Sequence, residues 1–335
     1  MEASCCCSCS APIPPVTSEI TTANRIDHLL ARWGYNRSGH QVTPGLYHLG
    51  NPNADSPVFA SANYTLSFDA LRSNLRGLDA YILVLDTKGI NVWCAAGKGT
   101  FGTDELVRRI ELTGLGQVVS HRTIIVPELG APGIAAHEVK RRSGFLVKYG
   151  PIRAADLPEY LKMGKSTPEM RRVTFPMKDR LVLAPMELVH IALPAVIVTI
   201  ILWFLAGYIA ALAAITAVLA GTVLFPILLP FLPTRDFSTK GLILGGIVAI
   251  PFSITYAGTS GLPEWALYAG ATVPLLIMPP VVGYLGLNFT GSTPFTSRTG
   301  VKKEIFQYIP ILATMTALGI IIGIALGISR LMEMI

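Results

Sequence analysis

Beyond Leu188 the sequence turns into long segments with almost no ionisable side chains, and this change limits the possible folds more than any motif does. Five stretches stand out: roughly Leu188–Ala206, Tyr208–Leu232, Gly241–Gly258, Trp265–Leu287 and Tyr308–Ile328. Each is close to the ~20 residues that an α-helix needs to cross hydrocarbon. Up to about Arg180, by contrast, charges, glycines and short strand-like runs alternate. The 335 residues are 51% hydrophobic and only 14% charged, too apolar for an ordinary soluble enzyme. The expected divisions are a partly disordered tail over 1–41, an α/β domain over 42–165, a juxtamembrane linker over 166–187 and an all-α transmembrane domain of five helices over 188–335.

Loop charges give an orientation, because Lys and Arg collect on the cytoplasmic side of short connections. Arg171, Arg172, Lys178 and Arg180 precede the first span, Arg235 and Lys240 join the second to the third, and Arg298, Lys302 and Lys303 join the fourth to the fifth. The opposite connections, Gly207 and Ala257–Glu264, carry neither Lys nor Arg, and only Arg330 follows the last span. A multi-pass protein of the cytoplasmic membrane is predicted, with its soluble domain in the cytoplasm and its C-terminus outside. Juxtamembrane charge accounts for much of the formal +6, so no nucleic-acid partner is needed. His190, near a helix end, is the one ionisable group inside a span, which favours an anchor or scaffold over an ion-coupled carrier. Gly241, Gly245, Gly246 and the Gly319, Gly323, Gly327 series suit close helix packing.

No cationic stretch leads into an apolar core at the start, so no signal peptide is expected. Four of the five cysteines, Cys5, Cys6, Cys7 and Cys9, sit in a tail with Pro12, Pro14 and Pro15 and no apolar periodicity. That composition predicts disorder, the alternative being a tail that collects soft metal ions. The spacing is not that of a ferredoxin-type iron–sulfur site.

In the soluble part, Val58–Leu66, Tyr81–Asp86, Thr123–Val126 and Phe145–Tyr149 read as strands. Phe68–Leu75, Thr103–Leu112, Gly133–Arg142 and Ala155–Met163 read as helices between them, with Thr103 as a cap and Asp104 and Glu105 in the first turn. The alternation predicts a largely parallel, Rossmann-like α/β sheet. Ligands in such sheets sit beyond the carboxyl ends of the strands, where Thr87–Gly102 emerges.

That emerging segment contains Asn91-Val92-Trp93-Cys94-Ala95-Ala96-Gly97-Lys98, with the only cysteine outside the tail. Three readings compete. Free cysteine is among the most buried residue types, so Cys94 can be a small core residue. Alternatively, Gly97-Lys98-Gly99-Thr100-Phe101-Gly102 satisfies the spacing of a dinucleotide fingerprint, which would make the chain a membrane-bound nicotinamide-binding oxidoreductase. About ten residues separate those glycines from Asp86, whereas the fingerprint wants them in the first tight turn, and the acid at the next strand tip is Glu128 after Pro127. In the third reading, a thiol among alanines and glycine leaves room for a large flat metal macrocycle.

The third reading gains from a resemblance. Asn91–Lys98 with Gly99-Thr100-Phe101-Gly102-Thr103 resembles the cap-helix signature of the HgcA family, the membrane corrinoid proteins of microbial mercury methylation. Pro44-Gly45-Leu46-Tyr47, Ala62-Asn63-Tyr64, Leu85–Ile90, Ser120-His121-Arg122, Gly130-Ala131-Pro132-Gly133 and His137-Glu138-Val139-Lys140 extend the likeness over most of Val42–Leu161. The domain is also similar to the corrinoid module of the corrinoid iron–sulfur protein of the acetyl-CoA pathway, and fold alone does not choose between the two. No histidine has Asp two residues before it, as the other large class of corrinoid carriers requires.

The resemblance implies a corrinoid-dependent methyltransferase using cobalamin or a related corrinoid, base-off, with Cys94 as catalytic residue and lower axial cobalt ligand. It also implies contacts to the cofactor from Asn91, Val92, Trp93, Ala95, Ala96, Gly97, Lys98 and Thr100. Small residues at 95–97 would let the backbone approach the ring. An anionic sulfur below cobalt would favour transfer of a methyl carbanion to Hg(II), giving methylmercury. Implied partners are an HgcB-like ferredoxin with two 4Fe–4S clusters for reduction and a methyl donor such as methyltetrahydrofolate, delivered through a methyltransferase. The alternative is a membrane-anchored corrinoid methyl carrier of one-carbon, acetyl-CoA metabolism.

Overall fold

The computed structural model describes residues 12–36, 38–259, 261–292 and 298–332. Cys5, Cys6, Cys7 and Cys9 lie outside the described residues. These fall into two compact units, one reaching to Ala31 and then running from Tyr35 to Val173, the other made of Arg32–Gly34 and the chain from Thr174.

The first unit is a mixed six-stranded sheet between helices. In chain order it contains β1 (Pro15–Val16), α1 (Thr22–Arg32), β2 (Gly45–Leu49), β3 (Val58–Ala62), α2 (Thr65–Asn74), β4 (Ala80–Leu85), α3 (Val92–Lys98), α4 (Thr103–Leu112), α5 (Leu115–Val118), β5 (Thr123–Pro127), α6 (Ala136–Ser143), β6 (Leu146–Gly150) and α7 (Leu157–Met163). The spatial order is β1-β2-β4-β3-β5-β6. β4, β3, β5 and β6 run parallel to one another, whereas β2 pairs antiparallel with β4 through Gly45↔Val84 to Leu49↔Ala80. The sheet is therefore mixed, since the unpredicted β2 closes one side of the parallel core. β4 is continuously apolar because both its faces are covered. Tyr81, Leu83 and Leu85 meet Val92, Ala95, Leu106, Ile110 and Val139 on one side, and Ala80, Ile82 and Val84 meet Phe68, Leu71, Leu157 and Tyr160 on the other.

Several elements differ from the sequence expectation. Val58–Leu66 splits after Ala62, where the buried Asn63 leaves the sheet and α2 starts at Thr65. Thr103 does not cap α4: its hydroxyl accepts from Ala135 N at 2.8 Å, tying down the segment before α6. Residues 12–36, read as part of a partly disordered tail, hold β1 and α1. Arg72 fixes them, donating to the carbonyls of Thr17 and Glu19 and to Asn24 Oδ1.

The second unit contains α8 (Met177–Leu181), α9 (Ala184–Ala206), α10 (Tyr208–Leu219), a π-helical turn over Ala220–Leu224, α11 (Phe225–Leu228), α12 (Phe237–Ala257), α13 (Glu264–Leu287) and α14 (Arg298–Leu331). Five helices are long and apolar enough to cross a membrane: Met177–Ala206, Tyr208–Leu228, Phe237–Ala257, Glu264–Leu287 and Thr299–Leu331. The π-helical turn precedes Pro226, which has no N–H to give the helical ladder. The close backbone approaches are between α12 and α13, while Gly221 and Gly319 pack against the side chains of Leu285 and Ile277. A Cβ at Gly241 would fall 2.4 Å from Gly283 Cα, and one at Gly245 2.5 Å from Pro279 Cα. Gly246, Gly323 and Gly327 face open space, so the four-residue series in α14 is not a packing stripe beyond Gly319.

Candidate functional site

The connection from β4 to α3 is built around one buried side chain. Asn63, at the end of β3, accepts through Oδ1 from Thr87 N at 3.1 Å, Thr87 Oγ1 at 2.8 Å and Gly89 N at 2.9 Å. Thr87 also donates to Ile90 O at 2.6 Å. Lys88 and Gly89 follow with φ of 57° and 68°, a left-handed turn that glycine takes without strain. Sequence reasoning singled out Ala62-Asn63-Tyr64 only as a likeness. The physical signal was an asparagine directly after a buried strand, where its carboxamide can organise a neighbouring turn.

The turn delivers Asn91 as the cap of α3: its Oδ1 accepts from Cys94 N at 2.9 Å. Gly99, at φ 84°, closes the other end with its N–H on Ala96 O. Helical spacing then sorts the motif into two faces. Val92, Ala95 and Ala96 are buried in the core against the sheet, while Trp93, Gly97 and Lys98 are exposed with Cys94 half-buried among them. On this wheel Cys94 lies between Gly97 and Lys98, near the middle of the outward face. A Cβ at Gly97 would meet nothing within 4 Å, and Trp93 is 39% exposed.

The nine residues expected around the cofactor are therefore not brought together on one face. Ala95 and Ala96 are buried, and Ala96 lies against the 128–134 segment. A Cβ at Gly133 would fall 2.2 Å from Phe101 O and 3.1 Å from Ala96 Cα, and one at Gly130 2.5 Å from the Phe101 ring. Thr100 is half-buried and turned back onto the helix, its N–H on Ala95 O at 3.0 Å. The reading of Cys94 as a core residue does not fit its outward position.

The dinucleotide reading fails on placement, because a helix separates β4 from the glycines and Gly97 is itself helical, so none sits in the strand's first turn. Glu128, its expected acid, is engaged by Arg171 at 2.8 Å, with its other oxygen buried and unpartnered. Among the described residues no cluster of His, Cys, Asp and Glu could hold a metal ion. A cavity of about 240 Å³ lined by Asp55, Val58, His121, Thr123 and Lys148 is smaller than the ~300–1,000 Å³ of ordinary ligand sites and excludes α3.

A mixed α/β sheet that presents a capped helix with an outward thiol at its carboxyl edge defines the kind of domain, and comparison with known proteins gives its relatives. Residues 33–159 match the family model described as CO dehydrogenase/acetyl-CoA synthase delta subunit. The chain is similar to the gamma subunits of the acetyl-CoA decarbonylase/synthase complex. It is 31% identical over 128 residues to that of Methanopyrus kandleri, covering 38% of this chain and 27% of the relative. For Methanothermobacter thermautotrophicus the figures are 32% over 127 residues, 37% and 27%; for Archaeoglobus fulgidus they are 30% over 128 residues, 38% and 27%. The chain thus spans about a quarter of the length of these curated relatives. Both names point to the acetyl-CoA assembly, the alternative raised by the sequence, rather than to mercury methylation.

Proposed function

We propose that residues 33–159 form a corrinoid-binding domain of a methyl carrier, held at a membrane by the five apolar helices. The similarity to acetyl-CoA decarbonylase/synthase subunits over this same stretch carries the reading. The residues of α3 fit such a group: a sulfur donor stands on the outward face, Gly97 beside it leaves the surface open, and Trp93 offers an apolar edge. When bound, the corrinoid supplies a cobalt centre that accepts a methyl group from a donor and passes it on.

Within this reading Asn91 sets the first turn of α3 and so the direction of the thiol. Cys94 would hold the cobalt through its sulfur, and Lys98, four residues on, shares the outward face with it. Trp93 would wall the site, and Gly97 would leave room for the macrocycle. Val92, Ala95, Ala96 and Thr100 act indirectly, by seating and closing the helix. The domain lies on the cytoplasmic side, and the partners are other subunits of an acetyl-CoA-type assembly, together with a reductant and a methyl donor.

A second reading keeps the same half-buried thiol and changes the acceptor to Hg(II), with an HgcB-like ferredoxin as reductant. A corrinoid held by that sulfur would supply a methyl group, and a soft electrophile such as Hg(II) would accept it.

The test is the ultraviolet–visible spectrum of the purified full chain loaded with cobalamin. Cys94→Ala is expected to retain the corrinoid while its cobalt absorption moves from that of the wild type. Identical spectra would remove the thiolate from the mechanism, and a wild-type chain that takes up no corrinoid would remove the domain assignment. Offering the methyl-loaded protein Hg(II) and, separately, an acetyl-CoA synthase subunit then separates the two acceptors.

A further inference from the structure

Helix α1 is built inside out. Its Ile26, Leu29 and Leu30, with Trp33 one residue past its end, follow the i, i+3, i+4, i+7 spacing that buries one face of an ordinary helix. Here that face points away from the domain: Ile26 and Leu29 are each 55% exposed and Trp33 52%. The opposite, polar face is the one that docks. Asp27 holds His40 Nδ1 at 2.6 Å and Thr65 Oγ1 at 2.7 Å, while His28 Nε2 meets Asp69 at 2.8 Å and Asn24 takes a hydrogen bond from Arg72. A helix bound through polar contacts with its apolar stripe turned outward is costly in water, since the stripe gains nothing from the fold.

From this we infer that the Ile26–Leu29–Leu30–Trp33 face is an interfacial membrane contact, with α1 lying in the headgroup region of the bilayer that the five helices cross. Continuity of the chain argues for lipid over a protein partner. Arg32–Gly34 belong to the second unit, where a Cβ at Gly34 would lie 3.6 Å from His190 Nε2 and 3.8 Å from Met186 Cγ, in the opening turns of α9. The apolar stripe thus ends beside the start of the first span. The flanking residues are those of an interfacial helix: Trp33 and Tyr35 are exposed at its end, and the exposed Arg25 and Arg32, seven residues apart, edge the stripe where anionic headgroups would lie.

The full-length protein in phosphatidylethanolamine–phosphatidylglycerol vesicles can be labelled with a bilayer-dissolved aryl diazirine and mapped by peptide mass spectrometry. Adducts on Ile26, Leu29 and Leu30 are expected at a per-residue yield of the same order as on Leu193 and Val196 of α9. Leu112, exposed on α4, should stay unlabelled. An unlabelled α1 beside a labelled α9 would overturn the inference, as would equal labelling of Leu112. Labelling of α1 that falls as protein is added at fixed lipid would assign the face to a second copy, with the same consequence. Because Ile26 and Leu29 are exposed and outside the domain core, the double variant Ile26→Asp/Leu29→Asp should keep the wild-type unfolding transition while losing its α1 adducts. If α9 itself took no label, membrane insertion would fail along with the inference, while the corrinoid reading would stand on its own test.

Discussion

At the scale of single residues, two glycines only thirty-six positions apart have opposite meanings for the same helix. Gly133 is a seat: its missing Cβ is what lets Ala96 and the Phe101 carbonyl approach. Gly133→Ala should therefore lift or tilt α3 and lower stability by about 1–3 kcal/mol, visible as an earlier denaturant midpoint at unchanged slope. Gly97 is an opening. A side chain there meets no protein atom, so Gly97→Val should unfold like the wild type yet fail to retain cobalamin on gel filtration. Retention by that variant would mean that the outward face of α3 is not where the ring sits. The sequence made Cys94 stand out, but it could not tell which neighbours share its face. Alanines next to a functional thiol look the same whether they admit a ligand or a supporting loop, and only the close contact with Gly133 distinguishes the two.

At the scale of elements, α1 is the part least legible in advance. Its apolar spacing is regular, but it follows a stretch of cysteines and prolines, and polar residues are what bind it to the domain. Binary patterning looks for apolar docking and so passes over a helix attached through Asp27, His28 and Asn24. This attachment is pH-dependent. Burial pushes the Asp27 carboxyl up, but hydrogen bonds from Thr65 and His40 and the nearby imidazoles outweigh it and hold the group below the usual carboxylate range. Burial pushes His40 down, and its bonds to Asp27 and to the Tyr35 carbonyl outweigh that and raise it above an ordinary histidine. A raised histidine contributes stability below about pH 6.5 that is lost as pH climbs through its folded value. A depressed carboxylate contributes above about pH 4 and loses it as pH falls through its own lowered value. Docking of α1 should be tightest between these limits and loosen as pH rises through the raised value of His40, read as faster amide exchange across 22–32 while β4 stays protected. Asp69→Ala would leave buried Arg72 without its carboxylate and should cost about 3–5 kcal/mol, detaching β1 and α1 together. By contrast, β4 and the five apolar helices were legible because a strand buried on both faces and a membrane span each need an unbroken apolar run. The antiparallel β2 was not, since Gly45–Leu49 is short and offers no clean alternation.

For the whole molecule, the two units are stabilised by different contacts. The sheet domain relies on interleaved aliphatic side chains on both faces of β4, whereas the α12–α13 pair rests on backbone meeting backbone at Gly241–Gly283 and Gly245–Pro279. Lipid tails are as apolar as leucine, so close approach replaces hydrophobic burial as the source of attraction there. Gly245→Leu should accordingly lower the thermal transition of the detergent-solubilised helices without moving that of the sheet domain. The change at the packing site is expected to be about 1–3 kcal/mol. If both transitions move together, the units are coupled more tightly than their separate cores require.

The seat beneath α3 has one more implication. Because Ala96 meets the backbone of Gly133 directly, no side chain at that contact can act as a shim, while Val92 and Ala95 rest on the aliphatics of β4. The height of Cys94 is thus set like a hinge pin held at two points, one of them backbone that no substitution of a neighbouring side chain can lengthen or shorten.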